Sequence, residues 1–220
     1  MSEWWTYSPS SFLLFSPRTY YRLFELTNEA VWPLQIVALA LGLAIIALIL
    51  RGPAWRGHAV AAMLAACWLF VAWAYLLERY DSINWAARYF AIGFALQAAL
   101  LAWTVVRDRL RFDVHGFVGK SGIAMIVYAV AIHPLIAPLA GRPWTQAEIF
   151  GLAPDPTAIA TLGVLLAATP TRTHLVVLPL LWCAVSGLTL WTMEQPEALA
   201  PLLAVATIGL AIWKAVCRAE

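Results

Sequence analysis

Apolar residues in this chain gather into long uninterrupted runs, unlike the strict alternation of a half-buried strand or the three-and-four spacing of a surface helix. Charges, prolines and glycines cut the sequence into seven such runs, close to Val31–Leu50, Ala59–Leu77, Trp85–Val106, Gly122–Leu139, Pro156–Ala168, His174–Met193 and Ala198–Val216. A helix crosses the hydrocarbon core of a bilayer with about 20 mostly apolar residues. Six of the runs meet that length, whereas the run from Pro156 has about thirteen residues before Thr169-Pro170, the length of a re-entrant or bundle-buried helix. The pattern therefore predicts an all-α fold, a polytopic transmembrane helical bundle of about seven spans over residues 31–220.

The first thirty residues read differently. They lack a basic stretch followed by an apolar run and a small-residue cleavage site, so no secretory leader is expected. Ser16-Pro17 has the signature of an N-cap followed by proline at the first helical position. In the turns that follow, Arg18, Arg22, Glu25 and Glu29 recur at three- and four-residue steps, with Tyr20, Leu23, Phe24 and Leu26 on the other side. Residues 1–30 are thus expected to form an extracytoplasmic segment carrying an interfacial amphipathic helix, with Arg22 able to pair with Glu25. Such a helix either rests on the bundle or covers an outward-facing cavity.

Composition agrees with the pattern and excludes alternatives. The 220 residues are 63% hydrophobic and 12% charged, with a net charge of +2 and three cysteines. A soluble domain of this size is about 25% charged, and neither a disordered chain, a nucleic-acid binder nor a disulfide-stapled secreted domain has this balance. If all seven runs cross, nine basic residues share the side of the C-terminus: Arg51, Arg56, Arg107, Arg109, Arg111, Lys120, Arg172, Lys214 and Arg218. Five lie opposite (Arg18, Arg22, Arg79, Arg88 and Arg142), which predicts the N-terminus outside and the C-terminus in the cytoplasm. Most of the twelve tryptophans fall near run ends, as an interfacial aromatic belt requires, but Trp68 and Trp182 fall nearer mid-membrane and the belt does not account for them.

Ionisable groups at membrane depth are costly and point to function. None of the seven runs contains Asp or Glu, which argues against a carboxylate relay, and His133 is the one histidine well inside a run. Pro134 follows it and frees the carbonyl of Val130, so the helix is expected to kink there. Such a histidine is either a switchable or ligand-binding point or a neutral group bonded to a neighbouring helix, with Tyr128, Gln35 and Gln97 as available partners. Asp155 and Pro156 have the form of an N-cap and first residue of the short helix, at the end of the polar stretch 141–157. Its N-terminal N–H groups then either face a polar solute or merely complete a surface loop. The candidate ligand-lining residues are accordingly Gln35, Gln97, Tyr128, His133, Asp155 and Thr157. No metal-ligand spacing, CxxC pair or nucleophile elbow occurs, Ser186 lying in a plain Val185-Ser186-Gly187 context, so no metal, cofactor or catalytic set is expected.

Two wider signals remain. Pro33, Ile36 and Leu39 echo as Pro156, Ile159 and Leu162, a faint hint that runs 1–3 and 5–7 form a parallel repeat of the kind found in small transporters. Over most of its length the chain also resembles a family of uncharacterised bacterial integral membrane proteins catalogued as a domain of unknown function. The resemblance is carried by Phe15-Ser-Pro-Arg-Thr-Tyr-Tyr-Arg-Leu-Phe-Glu-Leu26, Trp32-Pro-Leu-Gln35, Phe150-Gly151, Pro154-Asp-Pro-Thr157 and Thr161-Leu-Gly163. It implies a bacterial inner-membrane location and brings no substrate. Members often have a cysteine between the two prolines where this chain has Asp155, so any thiol chemistry there is absent.

Two functions fit these features. The first is transport or binding of a small neutral or weakly polar solute. The second is a non-catalytic accessory or sensor subunit that packs against partner membrane proteins or its own copies. Beyond the lipid bilayer, then, the expected partners are a small-molecule ligand, a membrane protein or a second copy, and no nucleic acid.

Overall fold

The computed structural model describes residues 15–107, 110–170 and 172–216, with the backbone alone at 107 and 210–216. Helix α1 (Pro17–Ala30) is followed by α2 (Leu34–Arg51), α3 (Arg56–Phe70) with a wider π-helical continuation over Val71–Leu77, and α4 (Ala87–Arg107). After the two-residue strand β1 (Arg111–Phe112) come α5 (Phe117–Val127), which passes through a π-helical stretch Tyr128–Ile132 and a tight turn His133–Leu135, and the short α6 (Ile136–Leu139). The chain closes with α7 (Pro154–Ala167), β2 (Ala168–Thr169), α8 (Thr173–Thr192) and α9 (Leu199–Val216). Among the described residues, five helical segments are long and apolar enough to cross a bilayer: Leu34–Arg51, Arg56–Ser82, Ala87–Val106, Phe117–Leu139 and Thr173–Thr192. With α7 and α9 these account for the seven runs of the sequence.

The capping signal at the start holds in detail. Ser16 is the N-cap of α1, its hydroxyl accepts the Thr19 N–H, and Pro17 opens the helix. Tyr20, Tyr21, Leu23 and Phe24 are buried while Arg18 and Arg22 face out. The buried face lies on the end of α3, where Phe24 stacks on Tyr75 with ring centroids 4.7 Å apart and Tyr20 meets Tyr80 edge-on. At the opposite end of the bundle, β1 pairs antiparallel with β2, Arg111 opposite Thr169, and ties the α4–α5 connection to the exit of α7.

Helix α7 is the axis of the fold. All fourteen of its residues are buried. At about 1.5 Å per residue it is about 21 Å long, less than the roughly 30 Å hydrocarbon core. The deficit is made up by the segment before it. Residues 147–153 are buried without forming a helix, and Gly151 sits so close to α3 that a Cβ there would lie 3.0 Å from Cys67 Sγ. Its φ of +80° suits only glycine. Non-helical backbone at this depth is tolerated only where protein shields it and its polar groups are paired. Here Asn28 donates to the carbonyls of Thr145 and Ala147, Gly151 N–H bonds to Thr157 Oγ, and Thr157 Oγ donates to Ala153. Sequence reasoning allowed stretch 141–157 to be a surface loop, yet its second half runs into the bundle, because five of the seven residues 147–153 are large or small apolar side chains.

Helices α5 and α7 cross at glycines. A Cβ on Gly122 would meet the Gly163 carbonyl oxygen at 2.4 Å, and one on Gly163 would meet that of Gly122 at 2.6 Å. Small residues at such a crossing let backbones approach where no hydrophobic force drives helices together in lipid. The supposed repeat gains no support in packing: Ile36 is 61% exposed on α2, whereas its counterpart Ile159 is 2% exposed on α7.

Candidate functional site

The polar residues of the bundle concentrate beneath α1, where the buried segment leads into α7. Helix α7 begins two residues earlier than the sequence implied. Ala153 is the N-cap, Pro154 the first helical residue, and Asp155 stands in the first turn instead of capping it. Pro154 takes the opening position because its fixed φ suits it and its missing N–H is not needed there. This frees the Asp155 side chain to face α8. Trp182 donates its indole N–H to Oδ1 at 2.7 Å and Ser186 donates its hydroxyl to Oδ2 at 2.6 Å. Two residues four apart on one face of α8 thus hold a completely buried carboxyl.

Four further ionisable side chains come to the same region. His133 and Glu148 are both buried, with Nε2 and Oε2 3.6 Å apart. His133 Nδ1 and Glu148 Oε2 have no hydrogen-bond partner among the described residues. The Tyr128 ring meets the His133 ring edge-on at 5.7 Å, and both residues lie where α5 departs from regular helix geometry before Pro134. Asp155 is within electrostatic reach of Glu148 and His133. Beside them Arg142 pairs with Glu197, and the guanidinium lies over the Tyr21 ring, 3.5 Å from its centroid. Both acids belong to connections by sequence, but Glu148 and Glu197 are 5% and 4% exposed because their connections fold inward.

α1 closes this region. Burial, with Tyr75 and the charges of Glu148 and Asp155 nearby, pushes the Tyr20 phenol well above its ordinary pKa. The Tyr21 phenol is raised by burial and by Glu148 and Glu197, against the opposing charge of Arg142. Both therefore stay neutral under α1. On its exposed side Arg22 pairs with Glu25, which also accepts from Gln146 and so fastens α1 to the connection beneath it.

Of the six residues singled out from sequence, Tyr128, His133, Asp155 and Thr157 come to this end of the bundle. Thr157 is committed to backbone groups. Gln35 lies at the edge of the region, donating to the Asn28 carbonyl in the last turn of α1. Gln97 lies elsewhere. It donates to the carbonyl of Leu175 at 3.0 Å, the group that Pro179, four residues on in α8, leaves without its helical partner. Glu148, Trp182, Ser186, Arg142 and Glu197 were not identified as site residues. Two signals for them exist in the sequence: a single Glu within the otherwise apolar Ala147–Ala153, and a Trp and Ser four residues apart in mid-span. Trp68, the other mid-membrane tryptophan, donates to Thr161 Oγ at 2.8 Å.

A groove of about 700 Å³ runs along the same side of the bundle, between α5 and α9. Ile159 and Leu166 of α7 form its floor, and its walls are mostly apolar. Tyr128 and Glu197 border it at the α1 end, so these two residues link it to the polar region. Among the described residues no three His, Cys, Asp or Glu side chains converge as metal ligands do.

Comparison with curated proteins and with solved structures finds no match. A family model does match, over residues 18–218, from the first turn of α1 through α9. The chain therefore belongs to a family of unknown function, DUF6064.

Proposed function

We propose that this protein binds a small neutral or weakly polar solute in the groove between α5 and α9 and carries it across a bacterial inner membrane. The supporting observation is the groove itself. It extends from Phe117, at the start of α5, to Pro196 and Glu197, ahead of α9, and so follows most of the depth of the bundle. An apolar wall with a few polar groups suits an uncharged amphiphile: the aliphatic part lies against Ile159, Leu166 and Leu203, and a hydroxyl-type head meets Tyr128 and Glu197. The excess of basic residues at the end opposite α1 supports an extracytoplasmic position for α1.

A neutral monoacylglycerol, added to the purified protein and followed by native mass spectrometry, tests the reading. One molecule per chain is expected to be retained. Ala200→Trp and Ala204→Trp, which fill the groove, should abolish retention without unfolding the protein; equal retention by both variants, or none by the wild type, rejects the proposal. Cysteines introduced at Glu194 and Lys120 should be labelled from opposite sides of the membrane.

A further inference from the structure

Beneath α1, the described residues bring one arginine and three carboxyls together with His133. Arg142, Glu148, Asp155 and Glu197 carry a formal charge of +1 − 3 = −2 if all are ionised and His133 is neutral. Arg142 and Glu197 cancel each other as a contacting pair. The two remaining charges belong to Glu148 and Asp155, and among the described residues neither forms an ion pair with an arginine or lysine.

Neutral donors do not remove that charge. Asp155 has the N–H of Trp182 and the hydroxyl of Ser186, and Glu148 has only the edge of His133. The other titratable groups facing the cluster are Tyr20 and Tyr21 from α1, Tyr75 and Tyr80 from the end of α3, Tyr128 from α5 and Cys183 from α8. All of these are neutral as acids. Two ionised carboxylates left uncompensated at this depth would each cost several kcal/mol. Among the described residues no three His, Cys, Asp or Glu side chains are grouped as a metal ion requires. Two atoms in the cluster are also open to a proton: His133 Nδ1 and Glu148 Oε2 are buried and have no hydrogen-bond partner among the described residues.

We propose that His133, Glu148 and Asp155 form a proton-binding site beneath α1. One proton on the imidazole converts the His133–Glu148 contact into an ion pair, and a second, on the Asp155 carboxyl, removes the last net charge. Both protons come from the aqueous phase on the α1 side and return to it; no electron moves and no covalent bond between heavy atoms changes. His133, Glu148 and Asp155 do not line the solute groove, so the proton site does not depend on what the groove holds.

Infrared difference spectroscopy of the full chain in lipid nanodiscs tests this, in buffer free of sodium and potassium. A protonated-carboxyl C=O stretch is expected at neutral pH, shifted in heavy water and lost in Asp155→Asn or Glu148→Gln. His133→Gln should displace its titration. Ser186→Ala, which keeps both carboxyls, should move the frequency and leave the band in place, which separates loss of the proton from loss of the fold. Absence of the band in the wild type, or its survival in both carboxamide variants, overturns the proposal. So does its removal by sodium or potassium alone at constant pH, which assigns the site to a monovalent cation.

Discussion

Trp182 donates its indole N–H to Asp155 across 2.7 Å, joining the middle of α8 to the first turn of α7. The ring also packs edge-on against Phe90 and Phe94, so the residue combines apolar contact with one specific donor. Trp182→Phe keeps most of that packing and removes the donor. A buried hydrogen bond left unmade costs about 1–3 kcal/mol. A lower melting temperature in detergent is expected, and a smaller loss when the same change is made in Asp155→Asn. Equal losses in the two backgrounds would show that the indole acts through packing alone.

Gln97 and Pro179 form a second testable pair. Gln97→Leu leaves the Leu175 carbonyl without a donor, at a cost of about 1–3 kcal/mol. Pro179→Ala restores a backbone N–H able to close the helical bond to that carbonyl. The double variant should therefore recover much of the stability lost by Gln97→Leu, measured by thermal unfolding in the same detergent.

The glycine crossing predicts asymmetric tolerance. Gly122→Ala and Gly163→Ala each place a methyl group against a backbone oxygen that no rotamer change can move. Overpacking of this kind costs about 1–3 kcal/mol. Gly93→Ala, whose new Cβ would lie 3.9 Å from the nearest atom, Leu178 Cδ2, is the control and should be stable.

Breaking one partner of a buried ion pair typically costs about 3–5 kcal/mol. Arg142→Ala should approach that range because Glu197 is then left buried and unpaired. The combination Arg142→Met with Glu197→Gln removes both charges together and should restore much of the lost stability, as read by urea or thermal unfolding.

Arg22 and Gln146 hold the Glu25 carboxyl below its ordinary pKa by hydrogen bonding. A carboxyl depressed in the folded state contributes stability above its unfolded pKa and loses that contribution as the pH falls through the folded value. Amide-exchange protection of α1 should accordingly be constant near neutral pH and decline on acidification below the ordinary glutamate range. Glu25→Gln should flatten that acid dependence.

The sequence revealed helix positions well because, in a bilayer, span length and charge placement are governed by the same apolar runs. Ser16-Pro17 announced α1, and the short run from Pro156 announced the unusual helix α7. Its environment was less legible. An apolar residue looks alike whether it faces lipid or protein, so nothing in Ile36 and Ile159 distinguished an exposed position from a buried one. The acids misled for a related reason. Glu148 and Glu197 lie in connections, where charge ordinarily meets water, and only tertiary folding draws those connections inward. Gln97, chosen as a polar group at membrane depth, turned out to complete the backbone of α8, a role visible only once α4 and α8 are placed side by side.

The complete enclosure of α7 has a consequence for how the protein is made. A fourteen-residue helix with no face toward lipid cannot be retained in the bilayer by lipid contact, since its stability depends on neighbouring helices. One of those neighbours, α5, is synthesised before it, and another, α8, only afterwards. The central element of the bundle is therefore secured late, when α8 arrives to supply Trp182 and Ser186 to Asp155.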